Sequence, residues 1–250
     1  EAARARRQRA GTRDEAPRAQ QVRRVASLVR TKQEVMKLIK ADAERRDPQH
    51  RKPLVILLDG ALGLWRLAPQ LFKPWKRVTC VLDIMHVVGY LWAAANALFG
   101  EASKAGQHWV QHKLTEILSG RVGDVIGGLR QILTKQRLRQ SVRQTLAKVI
   151  TFLHNHRRWM KYDQYLAMGL PVGTGVVESA CGSVVKHRME GEGKRWSLAG
   201  AEAILALRSL KKSHDNDLRD YWRFHARQVR LRLYGRRAKY RPTERLKRVA

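Results

Sequence analysis

The feature that most constrains the fold is a pair of short apolar runs, each followed by an aspartate. "KPLVILLDG" carries apolar residues from Leu54 to Leu58 before Asp59, and "KRVTCVLD" ends in Asp83. A continuous apolar run of this length predicts a strand that is buried on both faces. The intervening "ALGLWRLAPQLF" predicts a helix that Pro69 could kink. Strand, helix and strand in close succession predict a βαβ unit with two parallel strands.

Most of the remaining chain has the pattern of helices. Thr31 and Glu34 form a capping-box sequence, which predicts a helix that ends before Asp47–Pro48. Amphipathic segments without strand signals run from Ile84 to about Trp159, with a break near Ser119–Gly120. The predicted fold class is therefore α/β and mostly α.

A second informative segment is "MGLPVGTGVVESACGSVVKHRMEGEGKRWS", residues 168–197. It predicts a loop, then a helix from about Gly175 through Arg188, and then a break at "EGEGK". Small residues around Glu178 would let this helix approach a sheet closely. The helical spacing of Val177, Cys181 and Val184 predicts a buried stripe, with Glu178 at its rim.

The charge of the chain indicates a polyanionic partner. Fifty-one Lys and Arg residues oppose 21 Asp and Glu residues, which leaves a formal charge of +30. The commonest partner for such an excess is a phosphate backbone. The two cysteines, Cys80 and Cys181, exclude a disulfide framework and indicate a reducing compartment. The Arg-rich N-terminus lacks the apolar core of a secretory signal, and the initial residue, Glu1, suggests a processed or incomplete product.

The basic residues concentrate at both ends of the chain and around the Glu178 helix. Residues 1–30 hold nine arginines and predict a disordered basic arm, while the stretch from Arg223 to Ala250 holds eleven basic residues and one acid. The predicted DNA-binding surface is basic and aromatic, and it flanks the Glu178 helix. Its members are Lys186, Arg188, Lys194, Arg195 and Trp196.

Three carboxylates, Asp59, Asp83 and Glu178, are candidate metal ligands. Because the carboxyl ends of parallel strands share one edge of a sheet, Asp59 and Asp83 should be neighbours there. Grouped carboxylates suit Mg²⁺ or Mn²⁺, and two such ions would support cleavage of a phosphodiester. Simpler interpretations remain open: Asp59 could form a turn, Asp83 could cap a helix, Glu178 could be an exposed helix acid, and His86 could be a packed core residue.

The order of these motifs resembles a known family. "LLDGALGLWRL", "VLDIMHVVGYLWAAANALFG" and "GLPVGTGVVESACGSVVKHRMEGEGKRWS" are similar to segments of bacterial insertion-sequence transposases of the ISKra type, which are distant relatives of Mutator-like transposases. The resemblance spans roughly residues 31–225. It implies a partial ribonuclease-H-like fold with a large all-α insertion, a DDE metal site, and DNA cutting and joining at insertion-sequence ends.

The resemblance leaves two interpretations of the acids. Asp59 matches the second acid of the family and Glu178 the third, while Asp83 and His86 match a Cys-x-x-His-like motif with Asp in place of Cys. The first catalytic Asp has no clear counterpart, since Asp14 lies in a charged stretch that does not have the pattern of a strand. In the family, that Asp lies on the first strand of a three-stranded antiparallel meander, and at most "RRVASLV" could be a remnant of the last strand of that meander. The favoured interpretation is an incomplete copy that binds DNA without cutting it; in the other, Asp59, Asp83 and Glu178 are the working triad.

These expectations divide the chain into five parts. They are a basic disordered arm (1–30), a ribonuclease-H-like part (31–90), an all-α insertion (91–165), C-terminal ribonuclease-H-like helices (166–215) and a basic helical tail (216–250). The implied location is the bacterial cytoplasm, in association with the nucleoid. The implied partner is DNA, on which the chain would form a homo-oligomer, and no membrane is involved. The alternative function is a non-enzymatic basic protein that binds DNA or RNA, for which an acid cluster would serve no purpose.

Overall fold

A computed structural model of the chain describes residues 19–234, except for the side chains at positions 215 and 216. Most of the predicted N-terminal arm (1–18) and the end of the basic tail (235–250) lie outside the described residues. The elements in chain order are α1 (Lys32–Arg46), β1 (Leu54–Leu58), α2 (Leu62–Leu71), β2 (Val78–Leu82), α3 (Ile84–Phe99), α4 (Lys104–Leu118), α5 (Val122–Lys135), α6 (Gln140–His156), a 3₁₀ turn (Arg157–Trp159), α7 (Tyr162–Ala167), α8 (Gly175–Ala180), a π-helix (Cys181–Lys186), α9 (His187–Met189), α10 (Leu198–Lys212) and α11 (Asp215–Tyr234).

The chain divides into two compact units. The first comprises Arg30–Glu178, and the second combines the N-terminal segment up to Val29 with the chain from Ser179 onward. Within the first unit, β2 and the helical segment that follows it share one hydrophobic core.

The predicted βαβ unit is confirmed. Strands β1 and β2 pair in parallel, in a register that places Leu54 opposite Val78 and Leu58 opposite Leu82. These two strands are the complete sheet within the part of the chain that the structure describes. The register brings both strands to an end at the same level, so Asp59 and Asp83 follow neighbouring strand ends.

Strand β1 separates two hydrophobic clusters. On one face, Ile56 packs in a cluster with Met36 of α1 and with Ala68 and Phe72 of α2. On the other face, Val55 and Leu57 pack against a larger cluster. The strand is therefore covered on both faces, which explains why its sequence is apolar without alternation, although of its five residues only Ile56 is fully buried.

The larger cluster is built by the helical segment that follows β2. Fully buried side chains from α3, α4, α5 and α6, including Leu91, Ile117, Leu129 and Leu146, pack with Val81 and Leu82 of β2. Burial of each large aliphatic side chain contributes about 1.5–3 kcal/mol relative to exposure. The predicted helical region from Ile84 to about Trp159 is confirmed, as are the capping box at Thr31 and the helix break after Leu118.

In the second unit, part of the expected disordered arm has defined contacts. Ser27 donates a hydrogen bond from Oγ to the carboxylate of Glu202 in α10 (2.6 Å), and the backbone N–H of Arg24 donates to Ser213 Oγ (2.8 Å). Residues 22–28 therefore lie beside α10, in neither a helix nor a strand. The stretch "RRVASLV" (23–29) overlaps this segment and forms no β-strand pairing.

The helix expected from Gly175 through Arg188 is present, but its middle is a π-helix, Cys181–Lys186. The wider turn of a π-helix frees backbone carbonyls from the regular pattern. Arg208 of α10 uses its guanidinium to donate hydrogen bonds to two of them, Val184 O at 2.8 Å and Ser183 O. A side chain of the neighbouring helix therefore stabilises the irregular turn.

Candidate functional site

Asp59 closes β1 in a tight turn. Its Oδ1 accepts a hydrogen bond from the backbone N–H of Ala61 at 3.0 Å, and its carbonyl oxygen accepts one from Trp65 Nε1 at 2.7 Å. Asp59 therefore forms a turn, as the simpler interpretation of this residue anticipated. The second carboxylate oxygen, Oδ2, accepts no hydrogen bond from residues 19–234, and Asp59 is partly exposed. One oxygen fixes the backbone and the other is available to a ligand.

A cluster of aromatic rings packs against this turn. A Cβ added at Gly60 would lie 2.4 Å from Cε2 of Phe152, so the backbone approaches the ring too closely for any side chain. Phe152 stacks on Tyr90 with ring centroids 3.7 Å apart and contacts His156 at 4.5 Å. The position of Asp59 is therefore set by packing of large rings and does not depend on the turn sequence alone.

Asp83 is buried, and both of its carboxylate oxygens accept hydrogen bonds. It is 2% exposed and caps α3, because its Oδ1 accepts from the backbone N–H of Met85 at 3.1 Å. The same oxygen accepts from the backbone N–H of Thr174 at 3.1 Å, and Oδ2 accepts from the Thr174 hydroxyl. The helix-cap interpretation is realised, with an additional long-range contact that the sequence did not predict. A carboxylate that is buried in this way is stable only because donors surround it.

The Asp83–Thr174 contact fixes the loop that leads to Glu178. The backbone N–H of Ile84 donates to Val172 O at 2.9 Å, and a Cβ at Gly173 would lie 3.3 Å from Ile84 Cγ2. Thr174 O in turn accepts from the backbone N–H of Glu178 at 3.0 Å. The helix that carries Glu178 therefore begins at a residue held by Asp83, at the carboxyl end of β2.

The side chain of Glu178 is exposed, as the simpler interpretation anticipated. The predicted buried stripe beneath it is wrong in two of its three positions. Val177 is 56% exposed and Cys181 is exposed, whereas Val184 is 2% exposed. The prediction assumed a regular α-helix, but the π-helix from Cys181 changes the angle between successive residues, so α-helical spacing no longer selects one face.

His86 is exposed, and the alternative of a packed core histidine is wrong. It lies in the first turn of α3 and lines an open pocket of about 410 Å³ with Met85, Gly89, Tyr90 and Ala93. The pocket is therefore lined by an imidazole and by Tyr90, whose ring stacks on Phe152.

Two tyrosines from the helical region donate hydrogen bonds to β2. Tyr162 donates its hydroxyl to Leu82 O at 2.9 Å, and Tyr165 donates to Cys80 O at 3.2 Å. Burial raises the pKa of Tyr162 far above its ordinary value, and the negative charge of Asp83 raises it further. The phenol therefore stays protonated and remains a donor.

The expected metal site requires three ligands, and the described residues do not supply them as a group. Within residues 19–234, no set of three His, Cys, Asp or Glu side chains is arranged to hold a metal ion. Both oxygens of Asp83 already accept hydrogen bonds, so Asp83 does not fit the role of a direct ligand. Asp59 and Glu178 retain oxygens that could bind a cation.

The residues predicted to bind DNA lie in the second unit. Four of them are exposed cations, and Trp196 is partly buried. The guanidinium of Arg188 lies over the ring of Trp196 at 5.8 Å from its centroid, within cation–π range. Lys194 donates to Glu190 O at 3.0 Å, which folds the "EGEGK" turn back toward the preceding helix. The predicted residues therefore include one basic-aromatic pair with a defined geometry.

Sequence reasoning missed the residues that position the acids. Thr174, Gly173 and Phe152 have no catalytic chemistry of their own, and their roles depend on contacts across long sequence separations. The "GTG" triplet was the available signal for the first two, since close backbone approach selects glycine. Nothing in the sequence marked Phe152 as the residue that packs on Gly60.

Comparisons of the chain with known protein families, curated proteins and solved structures find no match. None of the helices within residues 19–234 is both long and apolar enough to cross a bilayer.

Proposed function

We propose that this chain is a DNA-binding protein of the transposase class, in which Asp59 and Glu178 are the second and third acids of a DDE-type centre. The observation that carries the proposal is the Asp83–Thr174 contact. It links the start of the Glu178 helix to the carboxyl end of β2, beside the strand end that Asp59 follows.

Asp83 is proposed to position the site and not to bind a metal. Its two oxygens serve Met85 and Thr174, so their hydrogen bonds would have to break before it could accept a cation. His86, exposed a few residues further along α3, is proposed to contact the DNA or the reacting phosphate. The chain would then provide two carboxylates, and strand cleavage would need a third from an additional segment.

The charge distribution supports DNA as the partner. The chain carries 30 excess positive charges, and the second unit contains the exposed Lys186, Arg188, Lys194 and Arg195, of which Arg188 lies over the ring of Trp196. Phosphate contacts release counterions, so the affinity should fall steeply as salt rises. A flat salt dependence would contradict the proposal.

The binding test uses matched charge removals. Arg188→Gln combined with Arg195→Gln should lower the affinity for duplex DNA and reduce the slope of log K against log salt by about 2, since each lost phosphate contact removes about 1. The control combines Arg130→Gln with Arg137→Gln, which removes the same charge from exposed positions in the helical block of the first unit. An equal loss in both variants would show that only net charge matters.

The chemical test separates an enzyme from a simple binding protein. The 250-residue chain should bind DNA carrying insertion-sequence ends, yet neither nick nor join it in Mg²⁺ or Mn²⁺. A fusion to the N-terminal half of a full-length transposase should cleave, and Glu178→Gln should abolish that cleavage. Asp59→Asn should leave DNA binding unchanged or stronger, because it removes repulsion toward phosphate. Efficient cleavage by the chain alone would favour Asp59, Asp83 and Glu178 as the working triad.

The alternative is a non-enzymatic protein that binds DNA or RNA through its charge. The saturation of Asp83 by hydrogen bonds and the exposed position of Glu178 favour it. It predicts that the fusion remains inactive and that calorimetry detects no Mg²⁺ binding that depends on Asp59.

A further inference from the structure

Helix α11 presents an exposed surface that the proposed reaction centre does not use. It packs beside α10 in the second unit and is 20 residues long, which corresponds to about 30 Å. A groove of about 900 Å³ lies along one face of the helix. Its apolar side is lined by Leu218, Trp222 and Ala226, and its basic side includes Arg223, Arg227 and Arg230.

The arginines of this groove form a row. Arg223, Arg227 and Arg230 are four and three residues apart, so they lie on one face of the helix and span about 10 Å along its axis. All three are exposed. Over a similar length, one strand of a nucleic acid with helical stacking presents about three phosphates.

The row is electrostatically unfavourable without a partner. Like charges at these spacings destabilise a helix, and the acids of α11 all lie in its first six residues. Arg223 is within 3.6 Å of Asp220, but both side chains are strongly exposed, so this pair gives little compensation. A bound polyanion would remove the repulsion, whereas a second copy of the same helix would increase it.

Aromatic side chains beside the row indicate what kind of polyanion fits. Trp222 is 53% exposed, and its ring lies 5.1 Å from Tyr221 and 5.6 Å from His225. Such a group offers ring faces and edges on which unpaired bases can stack, which paired bases in a duplex cannot do. Cationic grooves with adjacent aromatic rings are a general means of binding single strands without sequence preference.

We propose that α11 binds single-stranded nucleic acid, with Arg223, Arg227 and Arg230 on the phosphates and Trp222 stacked on a base. This surface is separate from the one formed by Lys186, Arg188, Lys194, Arg195 and Trp196, which is proposed to bind duplex DNA. It would hold unpaired strands whether or not the chain cuts DNA.

The test measures binding of the full chain to labelled oligothymidylate and to its duplex with oligoadenylate. Replacing all three arginines with Gln should lower the affinity for the single strand at least tenfold and reduce its salt slope by about 2, at about 0.7 per phosphate. Trp222→Leu, which keeps an apolar side chain, should lower single-strand affinity at least about fivefold and leave duplex affinity nearly unchanged. Circular dichroism of each variant verifies that the helix content of the full chain is unchanged.

The matched control replaces Arg130, Lys135 and Arg137 with Gln, which removes the same charge from exposed positions outside α11. Equal losses in the control and the α11 variants would overturn the proposal, as would unchanged single-strand affinity in Trp222→Leu. Preferential binding of the full chain to anionic lipid vesicles over oligothymidylate would also overturn it. The variant that combines Arg188→Gln with Arg195→Gln tests the proposed DNA function separately. Duplex binding should be lost in that variant and not in the α11 variants.

Discussion

Replacing Thr174 with Val tests the contact on which the proposed site depends. Valine has nearly the same shape as threonine but cannot donate a hydrogen bond. The buried carboxylate of Asp83 would lose the hydroxyl donor and keep two backbone donors, those of Met85 and Thr174 itself, each at 3.1 Å. The change therefore removes one of three hydrogen bonds to a charged group that is 2% exposed.

The expected cost follows from the type of bond. A hydrogen bond to a charged group contributes about 1.5–3 kcal/mol, and the lower end applies because Thr174 is only partly buried and backbone donors remain. We therefore expect the free energy of unfolding to fall by about 1.5 kcal/mol. For a chain of this size that corresponds to a decrease in Tm of about 3–6 °C.

The assay is urea and thermal unfolding followed by circular dichroism, with Thr174→Ser as the matched control. Serine keeps the hydroxyl, so it should retain most of the stability that valine loses. Hydrogen exchange of the Glu178 amide, which donates to Thr174 O, should become faster in the valine variant only. If valine and serine variants are equally stable and exchange equally, the hydroxyl does not hold the loop and the reasoning about Asp83 fails.

Three further outcomes are expected. Gly60→Ala should destabilise the protein by about 1–3 kcal/mol through overpacking against Phe152, whereas Gly63→Ala, where nothing lies within 4 Å, should be neutral or stabilising in the same urea titration. Burial raises the pKa of Asp47, but backbone hydrogen bonds from Lys52 and Arg51 outweigh it and hold the pKa below its usual value. The contribution of Asp47 to stability is therefore present at neutral pH and lost as the pH falls through that lowered pKa, so Asp47→Asn should flatten the acid limb of a plot of Tm against pH. Tyr162→Phe should cost about 1–3 kcal/mol, because it leaves a buried carbonyl at the end of β2 without its donor; a variant with wild-type Tm would show that water replaces the hydroxyl.

The parts of the fold that depend on local sequence were predictable. The bounds of α1, β1 and β2 follow from a capping box and from apolar runs that end at aspartates, and all three match the structure. The parallel pairing was also predictable, because a short crossover helix between two strands allows few other arrangements.

The parts that failed depend on deviations from ideal geometry or on distant partners. Val177, Cys181 and Val184 were expected to share one buried face because α-helical periodicity was assumed, and the π-helix separates the buried Val184 from the face of the other two. The roles of Asp83 were left open because an N-cap and a metal ligand need the same residue at the same position. Only the contact with Thr174, 91 residues away in sequence, decides how its oxygens are used.

That separation of 91 residues has a consequence for how the protein folds. In an unfolded chain, the entropic cost of closing a loop rises only with the logarithm of its length, so doubling the loop adds about 0.6 kcal/mol. The rate is more sensitive, since contacts between distant residues form slowly compared with those inside helices. We therefore expect α3 to α6 to form early and the Thr174 loop to dock last. Insertions in the turns between these helices should slow folding more than they reduce equilibrium stability.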